Sequence, residues 1–413
     1  WTRSPAVNEA LTRALHDRSL IVDWGTAHKQ FVPLPNLMLA GPIDAVTGYG
    51  VLSERFSHHL AEVLPVSLFE LSHWHDHKEI SPVVTRLMTE ARKNTNPHEV
   101  ALLFAVPSDL PRVPARRRIL FSMWETDRLP GWQSPRDEQG RWNKLTNEWA
   151  EALIVPCQDQ VEVWRNNGVT IPIYKCPLGV NTNFFQYRER PPRDKDAPFT
   201  ILSYGMLTAR KSPVDTVHEV CWRAFKKKDN WRLILKNRGT PLSSYINDPH
   251  VHIINTDYYP SQMAGLCYQA DAGIFLSRYE GWGLPPREMM ATGLPVIWTA
   301  HTGHLEDVDP HFNIPIPYTA FASIGTELSI SSYDGAFNAY AGMGNWYIPD
   351  WQAASDALRQ EYEDWQARGR TQSPLGTRAA AYIAEKRSWQ TCTKELVSVL
   401  ERILDYDFPI ANT

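Results

Sequence analysis

Residues 280–297 read EGWGLPPREMMATGLPVI. Three residues ahead of them ends the apolar run AGIFL, residues 272–276, which has the length of a buried strand, and the glycines that follow make a turn. Pro285 and Pro286 fall in the first turn of a helix, where proline is tolerated, and GLPVI leads into a further strand over 295–298. Strand, turn, helix and strand form the repeating unit of a parallel sheet, and the helix start aims backbone N–H groups and partial positive charge at the turn. Gly281 and Gly283 let main chain approach a ligand with no Cβ in the way, so a phosphate-bearing or polyhydroxylated ligand fits. Glu280 sits on the strand-end loop and Glu288 about a turn into the helix, so both carboxylates can converge on one cleft and accept hydrogen bonds from paired hydroxyls of a sugar or ribose. An isolated pair of glutamates would more simply favour the positive end of a helix.

The same alternation of short apolar runs and helical stretches extends in both directions, which makes the class α/β. In the first half, strands are expected over 34–39, 63–68, 100–105, 118–123 and 152–155, with helices over 52–60 and 83–92. Residues 188–198, RERPPRDKDAP, interrupt the pattern with charge and proline and read as a linker. Strands resume over 199–204, 231–236, 251–255, 272–276 and 295–298, so a second α/β domain follows. The tail over 377–404 has helical spacing and no strand signal, and is expected to pack across one or both domains. The expected units are therefore 1–190, 191–376 and 377–413.

A chain of 413 residues suits two or three domains, and 43% hydrophobic residues support sizeable cores. The 42 basic and 46 acidic side chains give a net charge of −4, unlike the basic balance of a dedicated nucleic-acid binder. No run approaches the roughly 18 apolar residues of a membrane span. Cys157, Cys176, Cys221, Cys267 and Cys392 are odd in number and form no CxxC pair, which points to neither a disulfide framework nor a zinc cage and suits a reducing, cytoplasmic setting. The first residue is Trp1 rather than methionine, so a removed leader stays open. Residues 72–78, SHWHDHK, alternate three histidines as an exposed strand or loop does, and neither a metal nor another cofactor is expected. Sixteen tryptophans are more than packing ordinarily calls for and suit stacking on sugar faces.

Three further segments bear chemistry. Residues 204–213, YGMLTARKSP, put Arg210 and Lys211 on a basic turn after a strand, where two cations can clamp a diphosphate as it gains charge on leaving. A solvated turn has the same composition. Lys236, ending WRLILK, is either a third such cation or a surface charge. Residues 121–132, FSMWETDRLPGW, end a strand on the side where ligands gather in open α/β sheets and offer Trp124, Glu125 and Asp127 to an acceptor. There Glu125 either orients a hydroxyl or serves a cap or salt bridge.

The string 280–297 as a whole resembles the signature of GT-B retaining glycosyltransferases, specifically glycosyltransferase family 4: Glu, Gly, an aromatic, Gly, a helix with a second Glu, then a GxPV strand. Glu280, Gly281, Trp282, Gly283, Glu288, Gly293, Pro295 and Val296 supply it in order. The resemblance implies that Glu288 holds the nucleotide ribose while Glu280 and the amides of Trp282, Gly283 and Leu284 face the donor sugar. Residues 204–213 are similar to the family's GRL…K element, carrying over Gly205 and Lys211; Met206 stands where the family has arginine, and Arg210 is expected to compensate. Residues 47–53, TGYGVLS, resemble the family's first glycine-rich loop, so Gly48, Tyr49 and Gly50 are expected to wall the donor phosphate. Many relatives carry a histidine in the region of 121–132; WETD stands here, so no histidine role transfers. Segments 152–185, 345–349 and 388–389 match later landmarks of the family.

What this resemblance implies is the GT-B fold: two Rossmann-like domains facing across a cleft, with a C-terminal helix crossing back to the first. The implied reaction moves a sugar from UDP- or GDP-hexose to an acceptor hydroxyl with retention, in glycan or glycoconjugate synthesis. The donor is expected on the second domain and a glycan, glycolipid or other hydroxyl compound on the first. Metal independence and a cytoplasmic or peripheral membrane location complete the expectation. Three alternatives stay open: a nucleotide-sugar epimerase or phosphorylase on the same fold, a non-catalytic nucleotide-sugar-binding subunit, and a transferase acting on modified nucleic acid.

Overall fold

The computed structural model describes residues 20–22, 31–33, 37–45, 47–71, 80–91, 98–130, 141–207, 210–211, 214–238, 247–323, 344–406 and 408. The histidine-bearing segment 72–78 lies outside them. A short antiparallel pair, β1 (Leu20–Val22) and β2 (Phe31–Pro33), precedes the first sheet. That sheet consists of β3 (Leu37–Gly41), β4 (Val66–Glu70), β5 (His98–Phe104), β6 (Ala115–Phe121), β7 (Ala152–Val155) and β8 (Ile173–Lys175). All six are parallel, in the order β4-β3-β5-β6-β7-β8. The second sheet has β9 (Phe199–Gly205), β10 (Trp231–Asn237), β11 (Val251–Ile254), β12 (Ala272–Phe275), β13 (Val296–Thr299) and β14 (Ile314–Ile316). It too is parallel, in the order β11-β10-β9-β12-β13-β14.

Helices cover both faces of each sheet, which is why the strands read as unbroken apolar runs. Leu102 and Leu103 are adjacent on β5 and both fully buried, yet they belong to cores on opposite faces. Helix α1 (Gly48–Val63) runs beyond its expected end because Leu60 and Leu64 continue its buried face, and Pro65 then starts β4 three residues later than the apolar pattern suggests. Edge strands β8 and β14, three residues each, and the hairpin β15 (Tyr318–Ser323) and β16 (Asn345–Pro349) were not anticipated from sequence.

The linker is not a loose spacer. Arg190 donates to the carbonyls of Gly293 and Cys267 and Arg193 pairs with Asp271, so 188–198 lies along the second sheet's domain. The C-terminal tail is two helices, α2 (Pro374–Lys386) and α3 (Trp389–Leu404), parted at Arg387 and Ser388, whose hydroxyl caps the second by accepting from Thr391 N–H. Ala379 and Ile383 of α2 enter the second domain's core, whereas Trp389, Leu396 and Leu400 of α3 enter the first's, with Trp389 edge-on to Phe56 of α1 at 5.1 Å. The chain thus crosses back as expected. Among the described residues no helix is long and apolar enough to cross a membrane.

The second sheet's order reverses between β9 and β12, and in open parallel sheets ligands sit beyond the strand ends at such a reversal. The loops leaving β9 and β12 contain Arg210–Lys211 and Ser277–Gly283.

Candidate active site

Helix α4 (Leu284–Ala291) begins at Gly283, which has φ +90°, and carries Pro285 and Pro286 in its first turn. Glu280, 3% exposed, is set just ahead of it. Its carboxylate accepts from Arg210 Nη1 at 3.3 Å, lies 3.0 Å from Ser277 Oγ and is 3.7 Å from Lys211 Nζ. Glu125, from the end of β6 in the other domain, meets Arg210 Nη2 at 2.8 Å and Lys211 at 3.9 Å. Arg210 also donates to Tyr279 O at 2.6 Å. Two cations and two carboxylates, drawn from both domains, therefore make one cluster.

Glu288 is one helical turn further in. Tyr204, at the end of β9, donates to it at 2.8 Å, and burial lifts its carboxyl from the ordinary 4.5 to about 7. Lys236, next to last in β10, is buried, donates to Asn237 O and rests 5.7 Å from the Tyr258 ring; desolvation lowers its pKa. Gly205 has φ +139° and lies close to Pro285, joining the β9 end to the start of α4. Met206 is 45% exposed.

The glycines of the signature are occupied by protein on their side-chain faces. A Cβ on Gly281 would meet Met123 at 2.9 Å and Trp124 O at 3.2 Å, both from the first domain, and one on Gly283 would meet His304 Nε2 at 2.7 Å. The Trp282 side chain is buried beneath the Arg287 guanidinium, 3.7 Å away, so only its backbone is left to face the cleft; Leu284 is half-buried. On the first domain Gly48 is open, since a Cβ there would have nothing within 4 Å, while Gly50 packs on Ala45 O. Tyr49 spends its hydroxyl on the β6 end, donating to Met123 O at 2.8 Å and accepting from Met123 N at 3.0 Å. Trp124 is buried against Trp142, its indole N–H on Arg128 O. Asp127 holds Asn345 through the backbone N–H and side-chain amide at 2.7 and 2.9 Å. Glu125 is thus the acceptor-side candidate brought to the cations, and Tyr49, Trp124 and Asp127 shape the loop that carries it.

Two groups escaped the sequence reading. Arg287, fully buried between Trp282 and Trp298, donates to the carbonyls of Trp282, Gly283 and Gly303 and pairs with Asp307, which also receives Arg387 and Tyr382. The other is His301 and Thr302, against the Glu280 backbone. Neither carries a motif; only the arginine inside an otherwise apolar helix start was visible. Among the described residues one cluster has metal-ligating potential, His58, His59 and Glu62 at the far end of α1 from Gly48, with ligand atoms within 4.8 Å of one another.

This architecture is the GT-B glycosyltransferase fold. Sucrose-phosphate synthase from Thermosynechococcus elongatus superposes with a TM-score of 0.63 at 15% identity, over 90% of this chain and 100% of that one. HepE from Anabaena, in complex with UDP and glucose, gives 0.58 at 11% identity over 89% and 100%, and a glycosyltransferase from Rickettsia africae 0.56 at 13% over 90% and 99%. No curated protein sequence matches the chain. Residues 198–320, which begin at β9 and hold the Glu280–Glu288 signature, match the family described as Glycosyl transferases group 1.

Proposed function

We propose that the protein is a retaining hexosyltransferase that takes its sugar from a nucleoside diphosphate hexose, with UDP or GDP as the nucleotide. The observation that carries this reading is the convergence of Arg210, Lys211 and Glu280 beyond β9 and β12, with Glu288 one helical turn away. UDP and glucose, present in the HepE complex, are the donor components to try first.

In this account Glu288 accepts the ribose hydroxyls, and the amides at the start of α4 together with Lys211 meet the diphosphate. Departure of that diphosphate from an oxocarbenium-like sugar is the barrier, and charge stabilisation there lowers it. Arg210 is tied to the donor loop through Tyr279 O at 2.6 Å and Glu280 at 3.3 Å and keeps Glu280 in place, while Lys211, 3.7 and 3.9 Å from its carboxylates and partly exposed, turns to phosphate. The entering diphosphate competes with Glu125 for these cations, and the displaced Glu125 then faces the acceptor hydroxyl. Attack from the face the diphosphate leaves, with the leaving oxygen taking the proton, gives retention. These cations replace a divalent metal, so EDTA should leave turnover unchanged.

The test is to supply UDP-glucose, UDP-GlcNAc and GDP-mannose with an array of glycan and lipid acceptors and follow the anomeric proton by NMR. A first-formed product with the donor's anomeric configuration supports the reading. An inverted product contradicts retention, and no transfer from any donor contradicts the transferase itself.

A further inference from the structure

Glu280 is fixed by more than its carboxylate contacts. Its backbone N–H donates to Thr302 Oγ1 at 3.1 Å, and its carbonyl accepts from Gly303 N at 2.9 Å, so the segment after β13 is zipped onto the donor loop. A Cβ on Gly303 would lie 2.6 Å from Gly281 O, which shows how closely the two segments run. Thr302 itself has φ +49°. That left-handed conformation is an outlier for a β-branched residue and persists only where the surroundings impose it.

The imposed conformation has a directed consequence. His301 Nε2 lies 2.8 Å from Ser277 O, so that nitrogen carries the proton and donates, leaving Nδ1 as an acceptor 3.1 Å from Thr302 Oγ1. The threonine hydroxyl must then donate to His301 and accept from Glu280 N–H. Both side chains are buried, at 1% and 2% exposure, and burial holds the His301 pKa down near 3, so the chain of donors keeps one sense throughout the working pH range. Ser277, at the other end, also sits 3.0 Å from the Glu280 carboxylate. Backbone and carboxylate of Glu280 are thereby tied to one relay: Ser277, His301, Thr302.

We infer that Thr302, oriented by His301, is a positioning residue that sets the orientation of Glu280 toward the donor sugar, its strained backbone being the cost of bringing the hydroxyl to the Glu280 amide. The inference rests on the proposed donor site. It makes no contact with substrate through Thr302, so nucleotide affinity, carried by Glu288 and Lys211, is separable from it.

Three variants divide hydroxyl from backbone. T302S keeps the hydroxyl, T302A removes it while leaving a Cβ at positive φ, and T302G removes both hydroxyl and strain. Release of nucleoside diphosphate from UDP-glucose, UDP-GlcNAc and GDP-mannose, with water as acceptor, gives kcat and KM, and thermal unfolding reports the fold. We expect T302A and T302G to lose roughly ten- to a hundredfold in kcat with KM little changed, T302S to stay near the parent, and T302G to unfold no earlier than the parent. If the parent turns over a donor and T302A or T302G matches its kcat, or T302S falls as far as T302A, the inference is wrong and the proposed function stands. If the parent neither turns over nor binds any nucleotide sugar, both fall together.

Discussion

Glu288 is the residue whose chemistry is most exposed to test. Burial lifts its carboxyl to about 7, so near neutral pH it is split between acid and carboxylate. In the proposed role only the carboxylate accepts from both ribose hydroxyls, so binding of a UDP-sugar, whose diphosphate does not titrate here, should tighten as pH rises from about 6 to about 8, and Glu288→Gln should bind weakly with that dependence gone. Calorimetric titrations across this range check it. Stability runs the other way: a carboxyl raised in the folded state contributes most below its unfolded value of 4.5 and loses that contribution as pH climbs through about 7. Relative to the parent, Glu288→Gln should therefore gain melting temperature between pH 5 and pH 8. Lys211→Ala should lower turnover at least about tenfold, about 1.4 kcal/mol of transition-state stabilisation, with the fold intact because the side chain is 27% exposed. An unchanged rate would move the phosphate contact to another cation.

Among the elements, α4 and the segment after β13 are held by charges with no contact to water. Arg287 and Asp307 are fully buried, and Asp307 also receives Arg387 from the break between α2 and α3. Asp307→Ala would leave two guanidinium groups without their carboxylate, and a loss of about 3–5 kcal/mol in denaturant unfolding is expected. The parallel α/β class, the positions of most central strands, and the strand, turn and helix that carry Glu280 and Glu288 were legible in sequence because apolar runs, glycine and proline act locally. Arg287, Thr302 and His301 were not, since their meaning comes from residues brought together by the sheet. Gly281 was read as making room for ligand, and its vacant side-chain position is filled by Met123, a contact across the domains that no local pattern announces. Tyr49 was read as walling the donor phosphate and Trp124 as facing the acceptor, and their polar atoms turn inward to Met123 and Arg128.

At the scale of the whole molecule the two domains share their interior. Trp346 of β16 lies in the first domain's core with its indole N–H on Glu125 O, Cys157 reaches Gly281 O, and Asp127 holds Asn345. Within that closed arrangement Glu125 takes the cations that a diphosphate would take. Glu125→Ala should therefore bind UDP several-fold more tightly while turning over donor more slowly, a pairing that a purely structural salt bridge would not produce. The most direct test of the central claim, that a nucleotide sugar is held in the second domain by Glu288 and the cations, is calorimetric titration of a nucleotide-sugar panel without metal, repeated on Glu288→Ala. The account predicts one selective binder whose affinity collapses in the variant. Binding of none of them, with or without added metal, or equal binding by the variant, would contradict it.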